Sequence, residues 1–386
     1  MPPLRFPEFT EPWETAKLGA IAEFSKGTGI SKEQRSETGL PCILYGELYT
    51  TYTNEVIEDV VSKTDLDPTD LVKSQKNDVI IPSSGETAED IATARCVTSD
   101  NVLLGGDLNI IRLVEPNDGR FMSYQLNGIR KYDIAKIAQG VSVVHLYGGD
   151  LKMLSVTFPQ SPEQKKIADC ISLLDRRISV QSGLIEDLQK LKAALVERLF
   201  CNKQGWKRYK YRDLLSPISE RNSGNQFSNV LSASQELGMV SRTDLDIDIK
   251  FDRSAVTTYK IVRDGDYVLH LRSFQGGLAF SSMTGICSPA YTILRPVKEL
   301  EYGFFQEYFM SKPFINSLRL VTYGIRDGRS INVDEFLDMP VEIPDSTTQC
   351  RIISILSIMN RRLRLAIKQN ENYFKQKQYL LQQMFI

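Results

Sequence analysis

The chain has 386 residues, 42% of them hydrophobic and 25% charged, which is enough apolar sequence to bury the cores of two or three globular domains. It has no run of 18 apolar residues, and its first residues, MPPLRFPEFTEPWE, lack the regions of a signal peptide, so we expect a cytoplasmic protein. The formal net charge of −1 excludes a uniformly basic surface, so a surface for a polyanion must be a local patch or be completed by a basic partner.

The cysteines and histidines do not suggest a metal site. The six cysteines lie far apart without a CxxC pair, and the chain has only two histidines, His145 and His270. A zinc site needs about four such ligands, usually at short spacing. We therefore expect free, buried thiols and no metal or cofactor in this chain.

The first predicted element is a globular domain over residues 1–158. Short β-rich runs such as VIIPSS, NIIRLV and SVTFP alternate with Gly, Asn and Asp turns, and a helix-like piece, GRFMSYQLNGIRKYDIAKIA, lies among them. This mixture predicts an α+β domain with a small mixed sheet.

A long helix is predicted next, over residues 159–203. Ser161 lies ahead of an apolar periodic run, which is an N-cap signal, and Pro162 fits the first helical turn. Apolar residues then step by four and three through five heptads. A spacing of 3.5 residues held this long indicates a coiled-coil seam rather than a helix lying on a globular core.

The rest of the chain repeats this order. Residues 204–343 predict a second α+β domain, with the β-rich runs YVLHL and YTILRPV, and residues 344–386 predict a second long helix with Ser346 as its N-cap. The segment 344–385 aligns without a gap with the segment 159–200, at an offset of 185 residues. The domains match more loosely, as in KNDVII and DGDYVL, so the chain contains an internal repeat.

The predicted fold class is α+β, with two mixed α/β domains separated by two long antiparallel coiled-coil helices in a pseudo-two-fold repeat. The predicted seam residues share the 3.5-residue spacing and are Ile167, Ile171, Leu174, Ile178, Ile185, Leu188, Leu195, Leu199, Ile352, Leu356, Met359, Leu363, Tyr373, Leu380 and Met384. Polar side chains interrupt the seam at Gln181, whose equivalent in the second helix is Ala366, and at the equivalent positions Lys192 and Lys377. They either set the register of the helices or are tolerated imperfections, and the two interpretations have equal support.

Motifs for catalysis are missing from the sequence. It has no GxxxxGK[ST] phosphate loop and no Asn/Asp-Pro-Pro-aromatic motif of an amino-methyltransferase, since the sole Pro-Pro pair is Pro2-Pro3. Asp78, Glu86 and Glu89 are acidic neighbours, but no lysine completes a nuclease-like site at useful spacing. We therefore expect a chain without a catalytic centre.

Corresponding stretches recur in both halves. They are WETAKLGAIAEFSKG and WKRYKYRDLLS at the domain starts, SFQGGLAFSSMTGICSPAYTILRP in the second domain, and QGVSVVHLYGGDLKMLSVTFPQSPEQKKIADCISLLDRRI and GIRDGRSINVDEFLDMPVEIPDSTTQCRIISIL where each domain meets its helix. Their order and spacing, over nearly the whole chain, resemble the specificity subunits of type I restriction-modification systems. The sequence departs from that family at Thr347-Thr348-Gln349, where Pro-Glu-Gln is more usual.

The resemblance implies a sequence-specific DNA-binding subunit whose two target-recognition domains each read one half of a bipartite site. The helices then hold the domains apart, as half-site spacing follows protein geometry in dimeric DNA-binding proteins. It also implies partners: double-stranded DNA, two modification (methyltransferase) subunits docked on the helices, and restriction (motor-nuclease) subunits through them. S-adenosylmethionine, ATP and magnesium would belong to those partner subunits.

Loop residues are the candidates for DNA contact, because Arg, Lys, Asn, Gln and Ser read base edges in the major groove. The positions that fit are Ser83, Ser84, Lys136, Gln139, His145 and Tyr147 in the first domain, and Arg272, Ser273, Gln275, Tyr323, Arg326 and Arg329 in the second. Arg326 and Arg329 are the best single candidates, since an arginine can pair with two acceptors of guanine. The glycines Gly140, Gly324 and Gly276-Gly277 allow sharp turns beside them.

Two other interpretations stay open. A coiled-coil protein-protein adaptor without DNA recognition explains the helices, but it does not explain why two diverged domains carry Arg- and Gly-containing loops at matching places. An enzyme, such as a fused methyltransferase-recognition polypeptide, is disfavoured by the missing cofactor and catalytic motifs.

Overall fold

A computed structural model describes residues 1–140, 143–201, 203–234, 237–242, 253–270, 273–297, 299–323 and 330–386. Contacts between Cα atoms divide the chain into two compact units. Unit 1 comprises Met1–Ser182 and Lys368–Ile386, and unit 2 comprises Gly183–Ile367. This division follows contacts, whereas the predicted boundaries follow secondary structure, and those boundaries stay a prediction.

Unit 1 is a mixture of short strands and short helices before its long helix. Its strands are β1 (Glu14–Lys17), β2 (Ala22–Lys26), β3 (Leu40–Ile43), β4 (Val56–Ile57), β5 (Ser62–Thr64), β6 (Asp78–Pro82), β7 (Ser84–Gly85), β8 (Arg95–Val97), β9 (Leu103–Leu104), β10 (Leu108–Leu113), β11 (Val144–His145) and β12 (Ser155–Phe158). Its short helices are α1 (Leu18–Ile21), α2 (Glu47–Thr50), α3 (Ala88–Ile91), α4 (Gly119–Asn127), α5 (Lys131–Ile137) and α6 (Gly148–Lys152).

The long helix α7 (Ser161–Cys201) comes next, and unit 2 again mixes short strands and helices. The strands are β13 (Lys207–Lys210), β14 (Leu215–Ile218), β15 (Leu231–Ser234), β16 (Gly238–Ser241), β17 (Lys260–Val262), β18 (Tyr267–Leu269), β19 (Ala279–Phe280), β20 (Gly285–Cys287), β21 (Thr292–Pro296), β22 (Thr322–Tyr323), β23 (Ser330–Ile331) and β24 (Pro340–Ile343). The helices are α8 (Tyr211–Leu214), α9 (Ser273–Gly276), α10 (Lys312–Ser317), α11 (Val333–Asp338) and the long α12 (Ser346–Gln383).

The two long helices confirm the prediction from the apolar spacing. Helix α7 has 41 residues and α12 has 38, and each supplies residues to both units. The predicted serine N-caps are wrong for both helices, because Ser161 and Ser346 are the first helical residues. Ahead of α12, the side chain of Asp345 accepts the backbone N–H of Thr348 at 2.8 Å. A carboxylate there satisfies a free N–H and is favoured by the helix dipole.

In the described part of unit 1, the largest sheet has the strand order β2-β10-β6-β8-β4, with only β4 and β8 parallel. Strand β6 reads as a continuous apolar run because both faces of the sheet are covered. Val79 and Ile81 pack in the core that also contains residues of the long helices, and Ile80 packs in a second core on the other face.

The described residues of unit 2 form a smaller main sheet, with the antiparallel order β14-β21-β18-β19. Tyr267 and Leu269 of β18 pack in the larger core of this unit, and Val268 packs in the smaller one. The larger core is rich in aromatic rings, which include Tyr211, Tyr267, Phe304, Phe305, Phe309, Phe314 and Phe336.

The architecture is therefore mixed α/β with two long helices, as the sequence predicts at this coarse level. Among the residues that the structure describes, none of the helices is both long and apolar enough to span a bilayer.

Candidate functional site

The candidate DNA-contacting residues of unit 1 gather at one small two-stranded ladder. Strand β7 pairs with β11, so that Ser84 lies opposite His145, and His145 also exchanges two backbone hydrogen bonds with Gln139, at 2.7 and 2.9 Å. The rings of His145 and Tyr147 lie nearly parallel, with centroids 6.2 Å apart, and both side chains are exposed. The fold thus brings four predicted residues from three chain segments to one exposed edge.

Helix α5 adds a cation and a ring close in sequence to this edge. The Lys136 ammonium lies over the Tyr132 ring, 4.2 Å from its centroid, and the Tyr132 side chain is 70% exposed. A cation held on an exposed ring suits contact with a phosphate or a base. Tyr132 was missed in the sequence, although its i,i+4 spacing from Lys136 on a helix is the signal that would have found it.

Two of the predicted serines are buried rather than exposed. The Ser83 side chain is 7% exposed, and its backbone N–H donates to the Asp107 carbonyl at 2.7 Å. Ser273 is fully buried, and its hydroxyl accepts the backbone N–H of His270 at 2.8 Å. The Ser273 hydroxyl supports the turn after its strand, and the Ser83 hydroxyl donates to the Asp107 carboxylate at 3.5 Å instead of facing outward.

The corresponding edge of unit 2 has the same construction. Strands β22 and β23 pair so that Tyr323 lies opposite Ser330, and α9, which carries the exposed Gln275, contacts β23. Tyr323 is 55% exposed, and its hydroxyl donates to Glu335 at 2.7 Å. The predicted residues Arg272, Gly324, Arg326 and Arg329 lie outside the described residues, and the roles of all twelve predicted DNA contacts stay predictions.

Glycine is required at one position beside each edge. Gly140 has a φ of +124°, and an added Cβ would lie 2.1 Å from the Val143 carbonyl oxygen. Gly277 has a φ of +76°, and its Cβ would lie 1.8 Å from the Phe309 carbonyl oxygen. Any larger residue would force the backbone of either segment to move.

A buried carboxylate braces each main sheet in the same way. In unit 1, Asp78 at the start of β6 receives two hydrogen bonds of 2.8 Å from the Arg112 guanidinium on β10. In unit 2, Asp266 receives two bonds of 2.8 Å from Arg295 on β21. Asp78 therefore has a structural partner, and the described residues contain no group of three side chains that could hold a metal ion.

A glutamine ties the start of each long helix to its globular part. The Gln164 side chain accepts the backbone N–H of Asp118 at 2.9 Å and donates to the Pro159 carbonyl at 2.8 Å. Gln349 accepts the backbone N–H of Glu301 at 2.9 Å and donates to the Pro344 carbonyl at 3.0 Å. These are the glutamines that the two aligned helix starts share.

The predicted seam residues are all buried or half-buried. Ile167 and Ile171 pack with Met384 in the core of unit 1, and Ile352 and Leu356 pack in the larger core of unit 2. Other buried residues near the helix ends, namely Val196, Phe200 and Phe385, were not predicted. They face the globular parts, whose position the 3.5-residue spacing does not reveal.

The polar seam position Lys377 is buried in unit 1. Its ammonium contacts Asp175 on α7 at 2.6 Å and Glu55 at 2.5 Å, and Asp175 also accepts the Tyr124 hydroxyl at 2.7 Å. Burial raises the pKa of the Asp175 carboxyl, and the neighbouring Lys377 charge opposes that rise. The network thus places a lysine and two carboxyl groups where the seam would otherwise be apolar.

The matching position Lys192 carries an ion pair in unit 2. Its ammonium contacts Glu307 at 2.7 Å, and the same carboxylate accepts a hydrogen bond of 2.6 Å from Asn360 on α12. The Glu307 side chain is 9% exposed. Asp175 thus links Lys377 to Tyr124. Glu307 links Lys192 to Asn360 in the same manner.

The cysteines are free thiols, as predicted, but they are not all buried. Cys42, Cys96 and Cys287 are buried, whereas Cys201 and Cys350 are exposed on the long helices. Burial raises the pKa of Cys42 to about 11 and that of Cys287 to about 12. The expectation of burial is wrong for the two helix residues because their faces point away from the seam.

Comparisons with known proteins give a family match for part of the chain and a shared fold for the whole of it. Residues 10–190 match the family model described as the type I restriction modification DNA specificity domain. The chain is similar to the crystal structure of a type I restriction-modification system S subunit from M. genitalium, with 15% identity and a TM-score of 0.62, over 100% of this chain and 99% of that chain.

A second similar chain comes from a structural study of complex assembly and conformational transition of the type I R-M system. It has 14% identity and a TM-score of 0.56, with 97% of each chain covered. A comparison with curated proteins finds no match by sequence. The fold shared with the solved structures thus extends over the full length of the chain.

Proposed function

Because residues 10–190 match the family model of the type I restriction modification DNA specificity domain, we propose that this chain belongs to that family and is the sequence-specific DNA-binding subunit of a type I restriction-modification complex. Residues 1–158 and 204–343 are its two target-recognition domains, each reading one half of a bipartite site. The adaptor alternative gains no support from the comparisons.

The observation that carries this proposal is the repeated exposed edge. In unit 1, Gln139 pairs with His145, and in unit 2 Tyr323 pairs with Ser330. Each ladder presents polar or aromatic side chains to the outside. Each belongs to a unit in which a glutamine ties the long helix to the globular part. Side chains of this kind on short exposed strands and turns suit the edges of bases in the major groove.

The helices of residues 159–203 and 344–386 form an antiparallel coiled coil in the proposed subunit. Within unit 1, Asn370 of α12 donates to Ser182 of α7 at 3.3 Å, and Lys377 contacts Asp175. Residue numbers therefore rise along one helix as they fall along the other, which supports an antiparallel pairing.

The subunit is proposed to be non-catalytic and to work with partners. Two modification subunits dock on the helices, and restriction subunits join through them. Those partners bind S-adenosylmethionine, ATP and magnesium, and they supply positive charge around DNA that a chain of net charge −1 does not supply by itself. The complex acts in the cytoplasm.

The function is tested by methylation mapping. The chain is reconstituted with its modification subunit, a DNA library is methylated, and the modified adenines are sequenced. We expect two short specified half-sites separated by unspecified bases of one fixed number. Methylation without a bipartite consensus, or a complex that shows no sequence-selective binding, would contradict the proposal and favour the adaptor.

The spacer role is tested by lengthening both helices. Duplicating residues 183–189 in α7 together with residues 363–369 in α12 adds one heptad to each, about 10 Å of helix. We expect the gap to lengthen by at most about three base pairs, with both half-sites unchanged. The control duplicates the heptad in α7 alone, which mismatches the seam and should lose selectivity. A paired duplication that leaves the gap unchanged would rule out the spacer.

A further inference from the structure

Two lysines at equivalent positions of the repeat, one buried and one half-buried, pair with carboxylates beside the long helices. Lys377 is 9% exposed and contacts the carboxylates of Asp175 and Glu55. The Lys192 side chain is 24% exposed and contacts Glu307, which also accepts a hydrogen bond from Asn360. Lysine is rarely buried unless it is paired, so each of these contacts constrains where the helix can lie.

The two networks use the same pair of helix positions with the helices exchanged. Lys192 and Lys377 are 185 residues apart, and so are Asp175 and Asn360. In unit 1, the lysine is on α12 and its helix partner is Asp175 on α7. In unit 2, the lysine is on α7, and it shares the Glu307 carboxylate with Asn360 on α12.

Sliding one helix along the other by a heptad would keep the apolar seam but break both networks. In the two neighbouring registers, Lys377 would lie opposite Ala168 or Ser182 instead of Asp175. The seam alone does not discriminate between these registers, because apolar residues recur every heptad.

The same shift affects the second network. Lys192 would lie opposite Ile353 or Ile367, and Glu307 would lose one of its two partners. A buried charge without a partner is strongly unfavourable, so the observed register is selected at two separate places.

We propose that Lys377 and Lys192 are positioning residues that hold α7 and α12 in a single antiparallel register and thereby set the number of bases between the half-sites. The role in register concerns this chain alone. The role in the gap rests on the proposed function.

The register is tested by cross-linking in the full chain without DNA. Cys170, Cys201 and Cys350 are first replaced by serine. Oxidation of Ser182→Cys with Asn370→Cys reports the observed register, since these side chains lie 3.3 Å apart. Gln189→Cys with Asn370→Cys, and Ser182→Cys with Leu363→Cys, report the two registers shifted by one heptad.

The cross-links are compared in two double variants. Lys192→Met with Lys377→Met removes both networks, and Lys190→Met with Lys375→Met removes two exposed lysines on the same helices as a matched control. We expect the shifted cross-links to rise at least about tenfold in the first variant only. Equal shifted fractions in both variants would overturn the proposal. If the first variant does not fold, as judged by circular dichroism, Lys192→Gln alone is compared with Lys190→Gln in the same way.

The gap is tested with the reconstituted complex on DNA whose half-sites are separated by the preferred gap, or by one base pair more or fewer. We expect the Lys192→Met, Lys377→Met variant to lose at least about tenfold of the discrimination between these gaps while it keeps both half-sites. A variant that methylates more slowly but discriminates as well as the control would show a merely structural role. If even the unaltered chain shows no bipartite preference, the proposed function fails, and the cross-linking result stands by itself.

Discussion

Units 1 and 2 share three kinds of side-chain contact but differ in their sheets and in their cores. In both, a buried aspartate binds an arginine on the neighbouring strand, a glutamine ties the long helix to the globular part, and a lysine on a long helix binds a carboxylate of the unit. The sheets differ, since the main sheet of unit 1 is larger and adds a parallel pair, β4 with β8.

The cores differ in chemistry as well. The core of unit 1 that contains Val144 and Leu146 of the exposed edge is mainly aliphatic. The larger core of unit 2 contains a cluster of aromatic rings, in which Phe309 and Phe314 have centroids 4.6 Å apart. The glutamine and lysine contacts between the globular part and the long helices are thus present in both units. The cores beneath the exposed edges differ. Under the proposed function, this divergence would allow the two domains to read half-sites of different sequence.

The largest effect should come from the aromatic core of unit 2. Phe309→Ala removes a fully buried ring and should destabilise unit 2 by about 3–5 kcal/mol. Hydrogen exchange measured by mass spectrometry should show faster exchange in unit 2 and unchanged protection in β6 and β10 of unit 1. Leu320→Ala, at a side chain that is 78% exposed, is the control and should change stability by less than about 0.5 kcal/mol. Equal loss of protection in both units would show that they do not unfold separately.

A smaller loss of stability, equal in the two units, is expected when either buried aspartate is replaced by asparagine. Asp78→Asn and Asp266→Asn each leave a guanidinium short of its carboxylate. Because the Arg112 and Arg295 side chains are 33% and 31% exposed, each loss should be about 1–3 kcal/mol. Urea unfolding measures both. Asp338→Asn, which breaks exposed contacts with Lys210 and Arg212, should lower stability less than either of these variants, because solvent screens exposed ion pairs. A loss of stability in only one of these two variants would mean that the aspartate–arginine pairs of the two units are not equivalent.

The smallest effect concerns thiol reactivity and leaves the fold intact. Cys201 and Cys350 should react first with a thiol reagent at neutral pH, because both are exposed. Cys42 and Cys287 should react only after unfolding, since burial blocks access and raises the pKa of these thiols to about 11 and about 12, which keeps them protonated. Peptide mapping after timed labelling identifies the sites. Early labelling of Cys287 would show that unit 2 opens locally under native conditions.

Much of the fold followed from local patterns. The 3.5-residue spacing predicted both long helices, and the offset of 185 residues predicted that their surroundings match. The sheet strands VIIP and YVL were also found, because continuous apolar runs between turns are typical of buried strands. The sequence did not reveal how the candidate site residues are arranged. The fold brings Gln139 and His145 together and buries Ser83 and Ser273, and the DNA contacts stay predictions.

The amino-acid sequence by itself determined where the helices run and which of their faces is apolar, because helix periodicity depends only on residues close in the chain. It also determined that the two halves share a plan, since a repeat is visible without coordinates. Only the tertiary structure decided that Lys192 and Lys377 meet carboxylates, that Val196 and Phe200 leave the seam for a core, and which loop side chains face outward. Those properties depend on residues that are remote in the chain, and a local pattern contains no information about how such residues are brought together.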